Sequence, residues 1–210
     1  MSRCIIFGAA AFDGPMPSME NTDLIIAADG GLRHFTDATR QPDVILGDFD
    51  SLGYIPQGAK VFPVEKDDTD VMLAVRHGLD RGFREFLIYG GMDGPRLDHT
   101  MANFQTLSFL RTRDARGFLV GNTHVATVIS SETIAFPENY QGVLSVFCLG
   151  QDATGVTIQG LQYSLENGTL TASHPLGVSN HFVGKPSRIS VENGSLLLIW
   201  EKQAGFPVIP

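Results

Sequence analysis

Cysteine is nearly absent from this 210-residue sequence, which holds only Cys4 and Cys148 and neither a CxxC pair nor a Cys/His zinc spacing. That scarcity excludes a disulfide-stapled scaffold or a zinc module, and reduced thiols point to the cytosol. Basic residues are scarce as well: Lys and Arg number 15 against 23 Asp and Glu, a formal net charge of −8. Without a Lys/Arg cluster the chain carries no electrostatic footprint for nucleic acid. No apolar run reaches the ~20 residues that span a bilayer. The stretch 4–12 after Arg3 is short, lacks a cleavage region and meets Asp13 at once. It therefore reads as a buried strand entering a small-residue turn, not as a signal peptide. P-loop and GxGxxG patterns, internal repeats and low-complexity tracts are missing too. What is present is 43% apolar, enough for a real core.

The sequence has two rhythms. Up to residue 121, short apolar strands at 3–7, 24–28, 43–46, 60–63, 85–89 and 118–120 alternate with helical patterns at 32–38, 69–82 and 98–112. In the second of these helices Met72, Val75 and Leu79 share a face, and Thr69 stands as N-cap. Such alternation predicts an α/β domain with a mostly parallel sheet and helices on both faces. Residues 122–210 carry close-set strand runs at 125–129, 143–149, 155–159, 168–172, 188–191 and 196–200, with no helix pattern. Asn167–Gly168 and Asn193–Gly194 are strong hairpin signals, so this half is predicted to be an all-β sandwich.

Acidic residues cluster where strands end. Asp29 lies in AADGG at 27–31, Asp48 and Asp50 in GDFDS at 47–51, Asp70 in KDDTD at 66–70, and Asp98 in GPRLDH at 94–99. In an open α/β sheet, the carboxyl ends of the strands are where ligands bind. Asp48 and Asp50 are two apart, so in an extended segment both side chains leave on one side, roughly 6.5 Å apart, with Phe49 turned into packing. Hard oxygen donors without His or Cys suit Mg²⁺. Taken singly, each loop has a plainer reading, since Asp closes turns and caps helices. Gly30–Gly31 and Gly90–Gly91 serve either tight turns or close approach to phosphate. Arg96 offers a forked, permanent cation.

Taken together and in order, these loops resemble the thiamine pyrophosphokinase family. In the second half, GLQYSL at 160–165 and PLGVSN at 175–180 are similar to that family's thiamine-binding domain. The resemblance implies ATP + thiamine → AMP + thiamine diphosphate, with Asp48, Asp50 and Asp70 as Mg²⁺ ligands. It implies that Asp29, Gly30, Thr69, Arg96 and His99 meet ATP, and that Asp98 orients Arg96 or the nucleotide. Asp70 is the first choice to accept the hydroxyl proton, which makes Asp70, Asp98 and Arg96 the catalytic set. Ser179 and Asn180 are expected to meet the aminopyrimidine edge of thiamine, across a cytoplasmic homodimer that shares the site between chains. One departure stands out: Met72 and Leu73 occupy positions where the family often carries an acidic residue and a lysine. Two other readings remain. A pyrophosphokinase for a pterin-like alcohol would lack the GLQYSL and GVSN stretches, and a non-catalytic thiamine or nucleotide binder would tolerate loss of the carboxylates.

Overall fold

The computed structural model describes residues 2–203, 206 and 207. Backbone contacts divide the chain into two units, meeting at Asn122 and Thr123.

The first unit is built on six strands: β1 (Cys4–Phe7), β2 (Leu24–Ala28), β3 (Val44–Gly47), β4 (Lys60–Val61), β5 (Glu85–Tyr89) and β6 (Arg116–Val120). All of their pairings are parallel, in the order β6-β5-β1-β2-β3-β4. β1, β2 and β5 are apolar throughout except for Glu85, as strands covered on both faces must be. The covering is unequal. Helices α1 (Asp70–Asp80) and α2 (Leu97–Arg111) lie on one face. There a Cβ on Gly78 of α1 would meet Cys4 and Phe86, while one on Gly117 would meet Leu107 and Leu110 of α2. The alternate residue Phe7 points to the other face, where its ring stacks on Tyr89 at 5.3 Å and meets Phe35 edge-on at 4.9 Å. Phe35 closes a 3₁₀ run, Asp29–Phe35, which replaces the α-helix expected at 32–38. The run starts immediately at the strand end, and its Gly30–Gly31 pair favours a short, tight turn over a long helix. In α1 the expected cap is present, Thr69 Oγ1 accepting from the Met72 amide at 3.2 Å. The fully buried stripe is Ala74, Val75 and Gly78.

The second unit is antiparallel. One sheet runs β12-β9-β14-β7, comprising β7 (His124–Ser130), β9 (Val143–Cys148), β12 (Asn180–His181) and β14 (Ser195–Glu201). The other runs β11-β10-β13-β8, from β8 (Thr133–Phe136), β10 (Ala153–Gln159), β11 (Leu165–Leu170) and β13 (Ser187–Ser190). The sheets meet through an aromatic knot, in which the Phe136 ring lies 5.3 Å from each of Tyr140, Phe182 and Trp200. Neither Asn–Gly pair makes the hairpin its sequence predicts. Asn167 lies inside β11, at positive φ, where the β10–β11 register slips by a residue. Asn193–Gly194 carries the chain from β13 to β14, which belong to different sheets. The left-handed Asn167 suits a bulge, and at the sheet-to-sheet corner the positive φ, 92°, falls on Gly194.

Candidate active site

Three carboxylates converge at the carboxyl ends of β2 and β3. Oxygens of Asp29, Asp48 and Asp50 all lie within 4.8 Å of one another. The geometry differs from the extended placement expected for 48–50. β3 ends at Gly47, Phe49 adopts a left-handed φ of 61°, and the Asp50 amide donates to Asp48 Oδ1 at 3.3 Å. The chain thus curls around the carboxylates, and Phe49, 2% exposed, anchors the curl in the core. A left-handed non-glycine residue costs about 1 kcal/mol or more, so the surrounding packing must hold it.

Asp29 is the most buried of the three, at 7% exposure, also with a left-handed φ, 48°. Its Oδ2 accepts from Ser51 Oγ at 2.6 Å, and the Arg33 guanidinium holds Ser51 from the other side through the Ser51 carbonyl. Asp29 Oδ1 is buried and accepts no hydrogen bond. The backbone here has no room to move: a Cβ on Gly31 would land on the carbonyl oxygen of Phe7.

Asp70, at the start of α1, reaches the cluster through Lys66. The lysine is 13% exposed; it ion-pairs with Asp48 and lies 3.2 Å from Asp70 Oδ1, which accepts no hydrogen bond. Burial pushes both carboxyls up. For Asp48 the hydrogen bonds from Lys66 and the Asp50 amide outweigh it and hold the group below the usual range. For Asp70, more deeply desolvated and facing the Asp48 and Asp29 charges, burial wins and the carboxyl titrates above that range. The two shifts differ although one lysine serves both, because its hydrogen bond goes mainly to Asp48.

The loops after β1 and β5 touch closely. The Ala10 amide donates to the Gly90 carbonyl at 3.0 Å, and a Cβ on Gly90 would strike the Gly8 and Ala10 carbonyls. His34 Nε2–H sits 3.1 Å from both of those carbonyls, and buried Asn103 donates to the Gly91 carbonyl at 2.8 Å. These strands flank the point where the sheet order reverses, the usual ligand crevice of such sheets. Arg96 and Asp98 stand at the start of α2, paired by hydrogen bonds from Arg96 Nε to both carboxylate oxygens at 2.9 and 3.3 Å and from Nη2 at 2.6 Å; both residues are largely exposed, as is His99. The pairing holds the Asp98 carboxyl down at about 2.

In the second unit, the GLQYSL and GVSN stretches meet. Asn180, 5% exposed, accepts at Oδ1 from the amides of Tyr163 and His181, each at 2.9 Å, and donates from Nδ2 to the Tyr163 carbonyl at 2.7 Å. Its side chain is thus engaged as a latch between the two segments, and Asn180 also lines the groove beside them. Ser179 is exposed, with a left-handed φ of 59°. Beside them opens an apolar groove of about 350 Å³ lined by Ile158, Tyr163, Leu165, Leu176 and Val178.

Lys66 opens the KDDTD segment, where nothing in the sequence alone assigns it a task. Its spacing of four from Asp70 was the available signal. Nothing local marked Asn180 as a latch, because its partner Tyr163 lies 17 residues away.

A parallel sheet bearing a part-buried carboxylate cluster at its carboxyl edge, on a chain that continues into an antiparallel sandwich, defines an α/β enzyme class with a separate binding module. A family model described as thiamin pyrophosphokinase, catalytic domain, matches residues 17–119, and one described as its vitamin B1 binding domain matches residues 131–197. The chain belongs to the thiamin pyrophosphokinase family, enzymes that transfer pyrophosphate from ATP to thiamine. The thiamine pyrophosphokinase of Bacillus subtilis (strain 168) is 27% identical over 185 residues, spanning 84% of this chain and 86% of its own. In fold, the chain is similar to the crystal structure of thiamine pyrophosphokinase from Bacillus subtilis, with a TM-score of 0.80 and 23% identity over 97% of this chain and all of that one. It is also similar to thiamin pyrophosphokinase from Candida albicans, with a TM-score of 0.71 and 14% identity over 96% of this chain and 89% of the other.

Proposed function

We propose that the enzyme works as a Mg²⁺-dependent thiamine diphosphokinase whose metal is held by Asp29, Asp48 and Asp50, with Asp70 beside them across Lys66. The observation that carries this reading is the convergence of the Asp29, Asp48 and Asp50 oxygens within 4.8 Å, with Asp29 Oδ1 buried and without a hydrogen bond. A buried carboxylate oxygen left unpaired is costly, and a hard cation satisfies it. The donor set is all oxygen, which fits Mg²⁺. When bound, Mg²⁺ neutralises phosphate charge and orients the diphosphate for in-line attack.

The protein's own groups do the rest. The hydroxyl oxygen of thiamine bonds to the β-phosphorus of ATP, the bond from that phosphorus to the α-bridging oxygen breaks, and AMP leaves. The hydroxyl proton passes to Asp70, whose carboxyl is raised above the usual range by burial and so makes a better proton acceptor. Positioning supplies much of the rate in such a transfer. Gly30, Thr69, Arg96 and His99 take the ATP side, and Asp98 orients Arg96 by the paired hydrogen bonds described above. The groove beside Tyr163 and Val178 accepts the aromatic rings of thiamine, with Ser179 at its rim and Asn180 holding its wall. Its volume of about 350 Å³ falls in the range of small-ligand sites.

We further propose a cytoplasmic homodimer in which the groove of one chain serves the carboxylates of the other. Its support is that the candidate acceptor contacts lie wholly within the second unit. Both cysteines are free, and among the described residues no helix is long and apolar enough to cross a membrane.

The metal reading is tested with Asp48→Asn and Asp50→Asn. Both variants are expected to stay folded and lose about 10² or more in turnover, as when transition-state charge stabilisation is removed. Full activity in the folded fraction of either variant would refute it.

A further inference from the structure

The reaction scheme gives Lys66 no task. It is a largely buried cation inside a carboxylate cluster, with 13% of its side chain exposed. It ion-pairs with Asp48, 9% exposed, and with Asp70, 22% exposed. Asp48 is shared: its Oδ2 takes the lysine, while its Oδ1 accepts the Asp50 amide on the other side. The carboxylate therefore divides the acidic site in two. On one side lie Asp29, Asp48 and Asp50, whose oxygens are close enough to ligate one ion together. On the other lie Asp48 and Asp70, with an ammonium group already between them.

We propose that Lys66 is a built-in second cation. It occupies the Asp48–Asp70 half of the site, so that without nucleotide the enzyme binds one divalent ion, at Asp29, Asp48 and Asp50. This rests on the metal reading above. Close carboxylates repel one another strongly where water is scarce, and a fixed positive charge relieves that repulsion without having to be captured from solution. The same charge repels a divalent ion from Asp70. Lysine suits the task because it is a compact point charge on a flexible stem, free to turn to the diphosphate of an arriving nucleotide. The closure is local: Lys66 and Asp70 are four residues apart and flank the Thr69 cap of α1, so both ends of the ion pair are held by the same turn.

The test counts bound metal directly. Mn²⁺ binding to the full chain, without nucleotide, is followed by the loss of its free electron-spin-resonance signal, with thermal melts as a folding check. The wild type is expected to bind one equivalent. Lys66→Met is expected to gain a second equivalent, or to bind the first at least about tenfold more tightly, because a repelling unit charge has left and Asp70 is free to ligate. Lys66→Arg, which keeps the charge, is expected to stay at one equivalent with near-parental affinity. If the wild type binds Mn²⁺ and Lys66→Met binds it with the same stoichiometry and affinity, or more weakly while folded, the proposal is wrong and the metal reading stands. If the folded wild type binds no Mn²⁺, both fall.

Discussion

Replacing Asn180 by Ala separates a latch from a ligand contact. The buried amide makes three hydrogen bonds, two accepted at Oδ1 and one donated from Nδ2, and all go to backbone groups of Tyr163 and His181. Neutral hydrogen bonds of this kind contribute about 1 kcal/mol each, and Tyr163 is exposed enough for water to recover part of the loss. Asn180→Ala should therefore cost about 2–3 kcal/mol. For a domain of this size that lowers the melting midpoint by roughly 10 °C or more. Asn180→Asp keeps both accepted bonds but sets a carboxylate oxygen against the Tyr163 carbonyl, so it should be at least as destabilised. Melting by circular dichroism measures the first effect. The Michaelis constant for thiamine, taken well below either midpoint, measures the second. A variant that melts within about 2 °C of the parent, with only the thiamine constant raised, would show that the amide serves the ligand and that the latch reasoning is mistaken.

The Arg96–Asp98 pair sets a titration. Because Asp98 is held down at about 2, its charge should persist as pH falls through the ordinary carboxylate range and disappear only near the lower value, read by carboxyl ¹³C NMR. In Arg96→Met the midpoint should rise toward normal, and an unshifted midpoint would mean that the guanidinium is not the cause. Arg96→Lys keeps the charge and loses the fork, so turnover should fall while the melting temperature stays put; unchanged kinetics would leave Arg96 a surface residue. The shared site predicts complementation: Asp50→Asn and the groove-blocking Leu176→Arg should each be nearly inactive. Mixed heterodimers should recover up to about half of the wild-type activity, since one of their two sites is then intact. No recovery in verified heterodimers would place the whole site in one chain.

Local and periodic signals in this chain are legible in the sequence. Unbroken apolar runs made β1, β2, β3 and β5 strands, because a doubly covered strand needs apolar side chains on both faces. The Thr69 cap was legible for a similar reason, since a capping bond closes within three residues. The order of the acidic loops sufficed to suggest the family. Sequence also made Asp48 and Asp50 neighbours, but the curl at Phe49 that brings their oxygens to Asp29 depends on burying Phe49 in a core built by other strands. The fates of Asn167–Gly168 and Asn193–Gly194 were likewise decided by which sheet each flanking strand joined, a choice between distant partners that no dipeptide encodes. The tasks of Lys66 and Asn180 needed the tertiary structure most. A lysine becomes a counter-ion only once folding has sealed Asp48 and Asp70 around it, and an asparagine becomes a latch only when a segment 17 residues away presents its backbone. Propensity acts over a turn or two of chain, whereas desolvation and long-range pairing exist only after the fold has formed.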